Sequence, residues 1–507
     1  MPNNPPNILF IQADQLSASI LPAYGNAIAI TPHLDELAAR STVFESAYTN
    51  FPLCAPSRFS MMSGRLASRI GAYDNGAEFP SSLPTVAHYL RHLGYHTCLI
   101  GKMHFVGADQ LHGFEERLTG DIYPADFGWS GDWTEISQAH SNDTRSFSGA
   151  GPCTRNVQMD YDEEVVHRAE RKIYDLKRGS NERPFFLLVS LTHPHDPYQC
   201  CYEHWERYRH DDIDMPRVER PAPDDIDPYS LRLLIQYGLD NHDLSEANIR
   251  IARHGYYGSV SYLDDLVGRL LNVLRVVDLA DNTIVVFTSD HGDMLGEHGL
   301  WYKKTFFENS ARVPLFIRTP HHDQHSRVTQ NVSLVDLAPT LLSFAGSNPD
   351  VLAVDALDGN NMHDLMAGNE RPWPDTAYSE NLAEGAMSPI LMVRKGPFKY
   401  ITSDIDPPQL FDLANDTDEC NNLAEDPAHQ ATRNSLATLA IECWNSQTLS
   451  TEVKASQRRR LFLCKALAQG SQTAWDFTPH DQAADHYLRA GRNYNEWAYS
   501  NIIKRDR

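Results

Sequence analysis

Apolar runs of strand length recur along the chain, and a polar cluster closes each one at its downstream end. Asn7-Ile-Leu-Phe-Ile-Gln12 is almost continuously apolar and stops at Ala13-Asp14-Gln15. A run with no polar alternation predicts a parallel strand buried on both faces. Thr97 to Ile100 leads into Gly101-Lys102-Met103-His104, and Phe185 to Leu191 leads into Thr192-His193-Pro194-His195-Asp196. The β-rich run Thr283 to Thr288 leads into Ser289-Asp290-His291-Gly292. Between these runs the spacing turns helical. Val86, Tyr89, Leu90 and Leu93 share one helical face, which Gly94 closes. Leu263, Leu266, Val267, Leu270 and Leu274 mark a second amphipathic helix, and Asp336 to Leu342 a peripheral one. The alternation predicts an α/β fold with a mainly parallel sheet flanked by helices. Ligands bind at the carboxyl edge of such sheets, so four strands are expected to aim reactive side chains at one crevice.

Near Arg371-Pro-Trp-Pro374 the pattern shifts to short β-like pieces, Ile390 to Val393 and Tyr400 to Thr402. A length of 507 residues exceeds one small core. The expected division is a catalytic domain over 1–370, a smaller C-terminal α+β subdomain over 371–450, and an extended tail over 451–507. The tail is basic at Arg458-Arg459-Arg460, then aromatic at Trp475, Tyr487 and Trp497. Exposed aromatic surface of that kind marks an interface. The tail is therefore expected to assemble a homo-oligomer, dimer or tetramer, and to help close the pocket.

The net charge of −23 argues against nucleic acid and anionic membranes as partners and suits a cationic ligand. No stretch approaches the roughly 18 apolar residues of a membrane span. Ile8 to Ile11 is too short for a signal-peptide core and lacks a basic flank, so a cytoplasmic location is expected. The eight cysteines are scattered, without CxxC spacing or a disulfide framework. Most of them read as buried free thiols.

One cysteine stands apart. Cys54-Ala55-Pro56-Ser57-Arg58 is followed by Ser63-Gly64-Arg65. Asp14-Gln15 and Asp290-His291 together offer two carboxylates, an amide oxygen and an imidazole, a donor set for a divalent cation. Hard oxygen donors favour calcium, magnesium or manganese, and His291 leans toward manganese. Lys102, His104 and His195, directly after apolar strands, and Lys303, inside the dense motif Gly299-Leu-Trp-Tyr-Lys303, add cations and a proton donor. An ester with anionic oxygens needs both.

The Cys-x-Pro-x-Arg sequence resembles the signature of type I sulfatases, in the alkaline phosphatase superfamily, which formylglycine-generating enzymes read. Longer stretches resemble the choline-sulfatase branch: Gly101 to Val106, Asp109 to Arg117, Asp121 to Trp129, Thr192 to Tyr198, Ser289 to Trp301, Phe306 to Pro314, and the tail from about Ser456 to Tyr487. Gln409 to Leu413 with Asn422-Leu-Ala424 resembles the general sulfatase C-terminal signature.

The resemblance implies an alkaline-phosphatase-like fold and hydrolysis of a sulfate ester, choline sulfate first. It implies that Cys54 becomes formylglycine, and that Arg58, Lys102 and His104 hold and polarise it. It places His195 and Lys303 at the sulfate and the leaving oxygen, and Asn75 in the active site. It assigns the metal, calcium first, to Asp14, Gln15, Asp290, His291 and the modified Cys54. Trp129 and Glu384 would receive the quaternary ammonium, with Trp133, Trp475 and Asp476 as further candidates. The sequence departs from the choline-sulfatase pattern between Trp129 and Gly149, where either His140 or Asn142 takes the place of an expected histidine. That departure leaves another alkyl or aryl sulfatase open as a reading. A phosphonate or phosphate ester hydrolase of the same superfamily would share the nucleophile and metal pairs.

Overall fold

A computed structural model describes residues 5–134, 136, 142, 144–240, 244–320, 325–369, 372–471 and 475–479. Eight strands form the main sheet: β1 (Asn7–Asp14), β2 (Thr42–Tyr48), β3 (His96–Gly101), β4 (Glu116–Arg117), β5 (Phe185–Pro194), β6 (Thr283–Ser289), β7 (Leu315–Arg318) and β8 (Ser326–Ser333). Their order is β8-β2-β7-β6-β1-β5-β3-β4. All neighbours run parallel except β7, which is antiparallel to β2 and to β6. Every residue of β1, β5 and β6 is buried, which explains their unbroken apolar runs.

Helices Val157–Arg178 and Glu246–Val276 lie on β5, and Val86–His92 packs against β3 and Leu337–Phe344. The helix foreseen around Leu263 to Leu274 is the second half of this 31-residue element. Its first half escapes periodicity because Ala252 to Ser261 are buried all round, polar residues included. Ser245 starts it by accepting the N–H of Asn248. Among the described residues no helix is long and apolar enough to cross a membrane.

A second, antiparallel sheet follows: β9 (Thr376–Asn381), β10 (Ile390–Lys395), β11 (Phe398–Ser403) and β12 (Gln409–Asp412). Helix Gln430–Cys443 covers β10 and β11. Lys399 of β11 is fully buried, with Nζ 2.7 Å from Glu419 and 2.8 Å from Glu308.

The basic run of the tail lies on helix Ser446–Leu467. Arg458 and Arg459 are exposed, but Arg460 turns inward. Its guanidinium clamps both oxygens of buried Asp74, one at 2.9 Å, and reaches Ser130 Oγ at 2.8 Å. Asp74 also accepts the N–H groups of Gly76 and Gly131. Gln457 accepts the backbone N–H of Trp133. This helix is a strap on its own subunit, while Tyr487 and Trp497 lie outside the described residues. Removing one partner of a buried ion pair strands the other charge. Arg460→Ala should therefore lower unfolding free energy by about 3–5 kcal/mol in urea titration. A loss below about 1 kcal/mol would show that water replaces the guanidinium there.

Candidate active site

Four adjacent strands, β6, β1, β5 and β3, end side by side, and each delivers the polar cluster expected of it. Gln15 and His104, just beyond β1 and β3, hold positive φ of 63° and 60°. Such conformations cost energy in non-glycine residues and persist only where surroundings fix them. The fixing contacts are visible. Gln15 N–H donates to Asp290 Oδ1 at 3.1 Å, and Met103 and His104 both donate their N–H groups to Asp121.

Cys54 opens helix Cys54–Ser63, whose residues are all buried. The N-terminus of a helix favours negative charge, so a nucleophilic anion is stabilised there. Asn75 Oδ1 accepts the N–H of Ala55 at 3.0 Å, occupying one otherwise unpaired donor of the first turn. Cys54 Sγ lies 3.3 Å from His291 Nε2, 3.8 Å from Lys102 Nζ and 3.9 Å from Asp14 Oδ1. It marks where an oxygen would stand if this side chain were converted.

Arg58 ties the strand ends together from below. It is fully buried and reaches Asp290 at 2.9 Å, Asp14 at 3.2 Å, the Lys102 carbonyl at 2.6 Å and Ser190 Oγ at 2.7 Å. Lys102 also pairs with Asp14 and lies over the Tyr123 ring. Burial alone would raise the Asp14 carboxyl, but Lys102, His195, Arg58 and His291 hold it well below the usual range. Burial would likewise discharge Lys102, yet Asp14 and Cys54 push its pKa up. Arg58 and Lys102 thus balance Asp14 and Asp290.

Asp14, Cys54, Asp290 and His291 place one donor atom each within 4.8 Å of one another, all buried. Burial lowers the pKa of His291, which keeps its imidazole neutral and able to bind a metal. Two carboxylates, an imidazole and the position-54 side chain fit a divalent cation. Gln15 stands beside them: its amide oxygen receives Lys303 Nζ at 2.5 Å, and its amide nitrogen donates to Asp293 at 2.6 Å.

Lys303 Nζ also donates to His195 Nε2 at 2.7 Å, while His195 Nδ1 donates to the Asp196 carbonyl at 2.7 Å. Burial would raise Asp196, but His195 and Lys303 lower it. The structure therefore joins His195, Lys303 and Gln15 in one wall, facing the cation cluster. Asn142 belongs to this wall, donating to both Asp196 oxygens at 2.7 Å, and Ser146 joins it at 2.9 Å. His140 lies outside the described residues.

His104 is buried, its ring nitrogens have no partner among the described residues, and burial with nearby Lys102 drops its pKa to about 3. It is neutral at physiological pH. Trp129 stands edge-on to its ring at 5.5 Å. From Trp129 the loop runs to Gly131, against Glu384, and to Trp133, whose indole N–H donates to the Ala383 carbonyl at 2.8 Å. Glu384 is buried and paired with Lys304 through one oxygen, while the other has no partner among the described residues. Trp475 packs edge-on to Phe127 at 5.1 Å, and Asp476 is exposed.

Sequence reasoning missed Tyr123, Asp196, Asp293 and Lys304. Asp196 and Asp293 could have been found, since each lies within three residues of a chosen strand-end group. Asp293 is buried and raised to about 6, mainly by burial, with Gln15 opposing the rise. Tyr123 carries no such signal: it lies in a loop and reaches the site only through the fold.

A family model described as Sulfatase matches residues 6–347. One for the N-sulphoglucosamine sulphohydrolase C-terminus matches 296–444, and one for the choline sulfatase enzyme C terminal matches 451–500. Choline-sulfatase of Rhizobium meliloti is 42% identical over 502 residues, 97% of each chain. An arylsulfatase of Clostridium perfringens is 30% identical, covering 82% of this chain and 90% of that one. The phosphonate monoester hydrolase of Agrobacterium radiobacter shares the fold, with a TM-score of 0.69 over 89% of this chain and 96% of that chain at 24% identity.

Proposed function

From the premise that this chain belongs to the sulfatase family and is a sulfuric ester hydrolase, we propose that it cleaves choline sulfate to choline and sulfate. The observation that carries the choice of alcohol is likeness to a choline-sulfatase along nearly the whole chain, tail included.

Asp14, Gln15, Asp290 and His291 would hold one divalent cation with the residue at position 54. Calcium is the first choice by resemblance, with manganese or magnesium as alternatives. Such a cation supplies Lewis acidity, easing deprotonation of the nucleophile and drawing charge from a sulfate oxygen. The formylglycine proposed at position 54, made by a formylglycine-generating enzyme, would supply the nucleophilic hydroxyl in place of the thiol.

The remaining work falls to groups already charged and aimed. Lys102, 3.8 Å from Cys54 Sγ, draws a sulfate oxygen toward the nucleophile. Arg58 holds the carboxylates of Asp14 and Asp290 in place. Lys303 binds another sulfate oxygen and shares its proton with His195 Nε2. His195, oriented by Asp196, gives that proton to the leaving alcohol oxygen, a poor leaving group without it. Neutral His104 can accept from the position-54 side chain as the reaction proceeds. Asn75 holds the helix turn that carries the nucleophile.

A quaternary ammonium donates no hydrogen bond, so aromatic faces and carboxylates must recognise it. Trp129 offers the first and Glu384, against Gly131 of the same loop, the second. Choline sulfate should be cleaved with kcat/KM higher than its neutral isostere, nitrogen replaced by carbon, by about one to a few kcal/mol in activation free energy. Trp129→Ala should erase most of that preference and leave small aryl sulfates largely unaffected. Sulfate release measured across choline, aryl and sugar sulfates, with a phosphonate ester alongside, decides the reading. Equal rates on the isostere, or a preference for the phosphonate, would overturn it.

Self-association of this chain is proposed to rest on its tail. The helix to Leu467 straps its own subunit, so self-association is assigned to the residues beyond it. A chain ending after Gly470 keeps the strap. By light scattering it should be smaller in assembly than the full chain; unchanged assembly would remove the tail from that role.

A further inference from the structure

Three of the eight cysteines cluster away from the catalytic crevice. Two three-residue strands, Gly151–Cys153 and Gln199–Cys201, pair in parallel, with Cys153 opposite Cys201. Both are half-buried, whereas Cys200, next to Cys201 and opposite Pro152, is buried and its thiol is pushed up by burial. Neighbouring strands lie roughly 4.8 Å apart, inside the Cα separation a disulfide spans.

Cys201 has a base. Its Sγ lies 2.7 Å from His204 Nδ1, and His204 Nε2 lies 2.9 Å from Asp265 Oδ2. Asp265 is gripped by both terminal nitrogens of Arg207, at 3.1 and 2.5 Å. The arrangement fixes the tautomer: Nε2–H donates to Asp265, leaving Nδ1 to accept the thiol proton. Burial disfavours the imidazolium so formed, and the Asp265 carboxylate opposes that cost. A thiolate made this way is the nucleophilic form of cysteine, and a positioned imidazole favours it. Nothing in the sulfate-cleaving site uses these residues.

We propose that Cys201 is a reactive thiol activated by His204 and Asp265, and that hydrogen peroxide couples it to Cys153 as a disulfide. In the first step the Cys201 sulfur attacks one peroxide oxygen and the O–O bond breaks. The departing hydroxide takes the proton held on His204 and leaves as water, giving a sulfenic acid. In the second step the Cys153 sulfur attacks the Cys201 sulfur, an S–S bond forms and the S–O bond breaks. The released hydroxide takes the Cys153 proton, giving a second water. Two thiols are oxidised by two electrons and one peroxide is reduced to two waters. The product staples the strand that follows His195 and Asp196 to the strand that follows Asn142 and Ser146.

The test uses the full-length protein, alkylated with iodoacetamide for short times and mapped by peptide mass spectrometry. Exposed Cys420, which has acidic neighbours and no imidazole, is the internal control. Cys201 should react at least about tenfold faster than Cys420. Peroxide treatment should yield a peptide linking Cys153 to Cys201, and Cys153→Ser should instead accumulate a dimedone adduct at Cys201. His204→Ala should slow Cys201 alkylation about tenfold. Asp265→Asn, which leaves the buried imidazole in place, should slow it in the same direction if the alanine variant misfolds. Equal rates at Cys201 and Cys420, absence of the linked peptide, or a rate untouched by Asp265→Asn would each overturn the proposal.

Discussion

Cys54→Ala protein should fold and release no measurable sulfate. The side chain at position 54, the first of its helix and one of the four donors grouped with Asp14, Asp290 and His291, is the proposed nucleophile. Lys102, Arg58, His195 and Lys303 stabilise charge and move protons, but none can replace it. Loss of a nucleophile from an otherwise intact site costs at least about 10⁴-fold in kcat. The fold should tolerate the change, because a small thiol is exchanged for a methyl among neighbours that are tied to one another through Arg58. The cost in stability is expected within about 1–2 kcal/mol. Steady-state sulfate release and thermal unfolding of one preparation give both numbers. Retention of more than about 1% of wild-type turnover would sink the role of this residue.

Asp290→Asn should fail for a different reason. Asp290 accepts from Arg58 Nε at 2.9 Å, from the Gln15 N–H at 3.1 Å and from the His291 N–H at 2.9 Å. Asparagine keeps an oxygen for these donors but removes the charge. A divalent cation then meets one carboxylate instead of two, with Arg58 and Lys102 still present. Affinity for the metal should fall by more than about 100-fold, and turnover with it. This variant should lose more stability than Cys54→Ala, because Arg58 keeps only Asp14 as a counter-charge. Wild-type protein stripped by a chelator separates the two effects: it should lose activity and remain folded, since the four charges already balance. Metal content by mass spectrometry decides the matter. A variant with unchanged metal and rate would remove Asp290 from the site.

The sequence made the catalytic edge legible because its signals are local. An apolar run that ends in Asp-Gln or Asp-His tells both the strand and what stands at its tip. Gly101 to His104 and Thr192 to Asp196 could be read the same way. The parts that stayed hidden are those made by distance. Arg460 and Asp74 are 386 positions apart, and no periodicity links them. Glu384 was legible as a carboxylate but not as the partner of Lys304, which neighbours a residue chosen for another task. The tail read as one basic and aromatic segment, whereas its first part is an amphipathic helix whose inward face, Val453, Gln457 and Arg460, recurs at helical spacing. The three consecutive arginines masked that stripe.

If Cys54 is converted as proposed, its burial fixes an order of events in the making of the protein. The side chain is 2% exposed, and every residue from Leu53 to Gly64 is buried with it. An enzyme that modified it would have to reach the Cys-Ala-Pro-Ser-Arg segment, which in the finished fold is a buried helix locked by Arg58 across four strand ends. Conversion would therefore belong to the interval between synthesis and folding. Arg58, which the modifying enzyme is expected to read, is the same residue that later closes the site. Once its guanidinium has found Asp14 and Asp290, the signal is consumed. The speed of folding then competes with the modifying enzyme, so that cells expressing the chain fast should carry a larger share of permanently silent, correctly folded molecules.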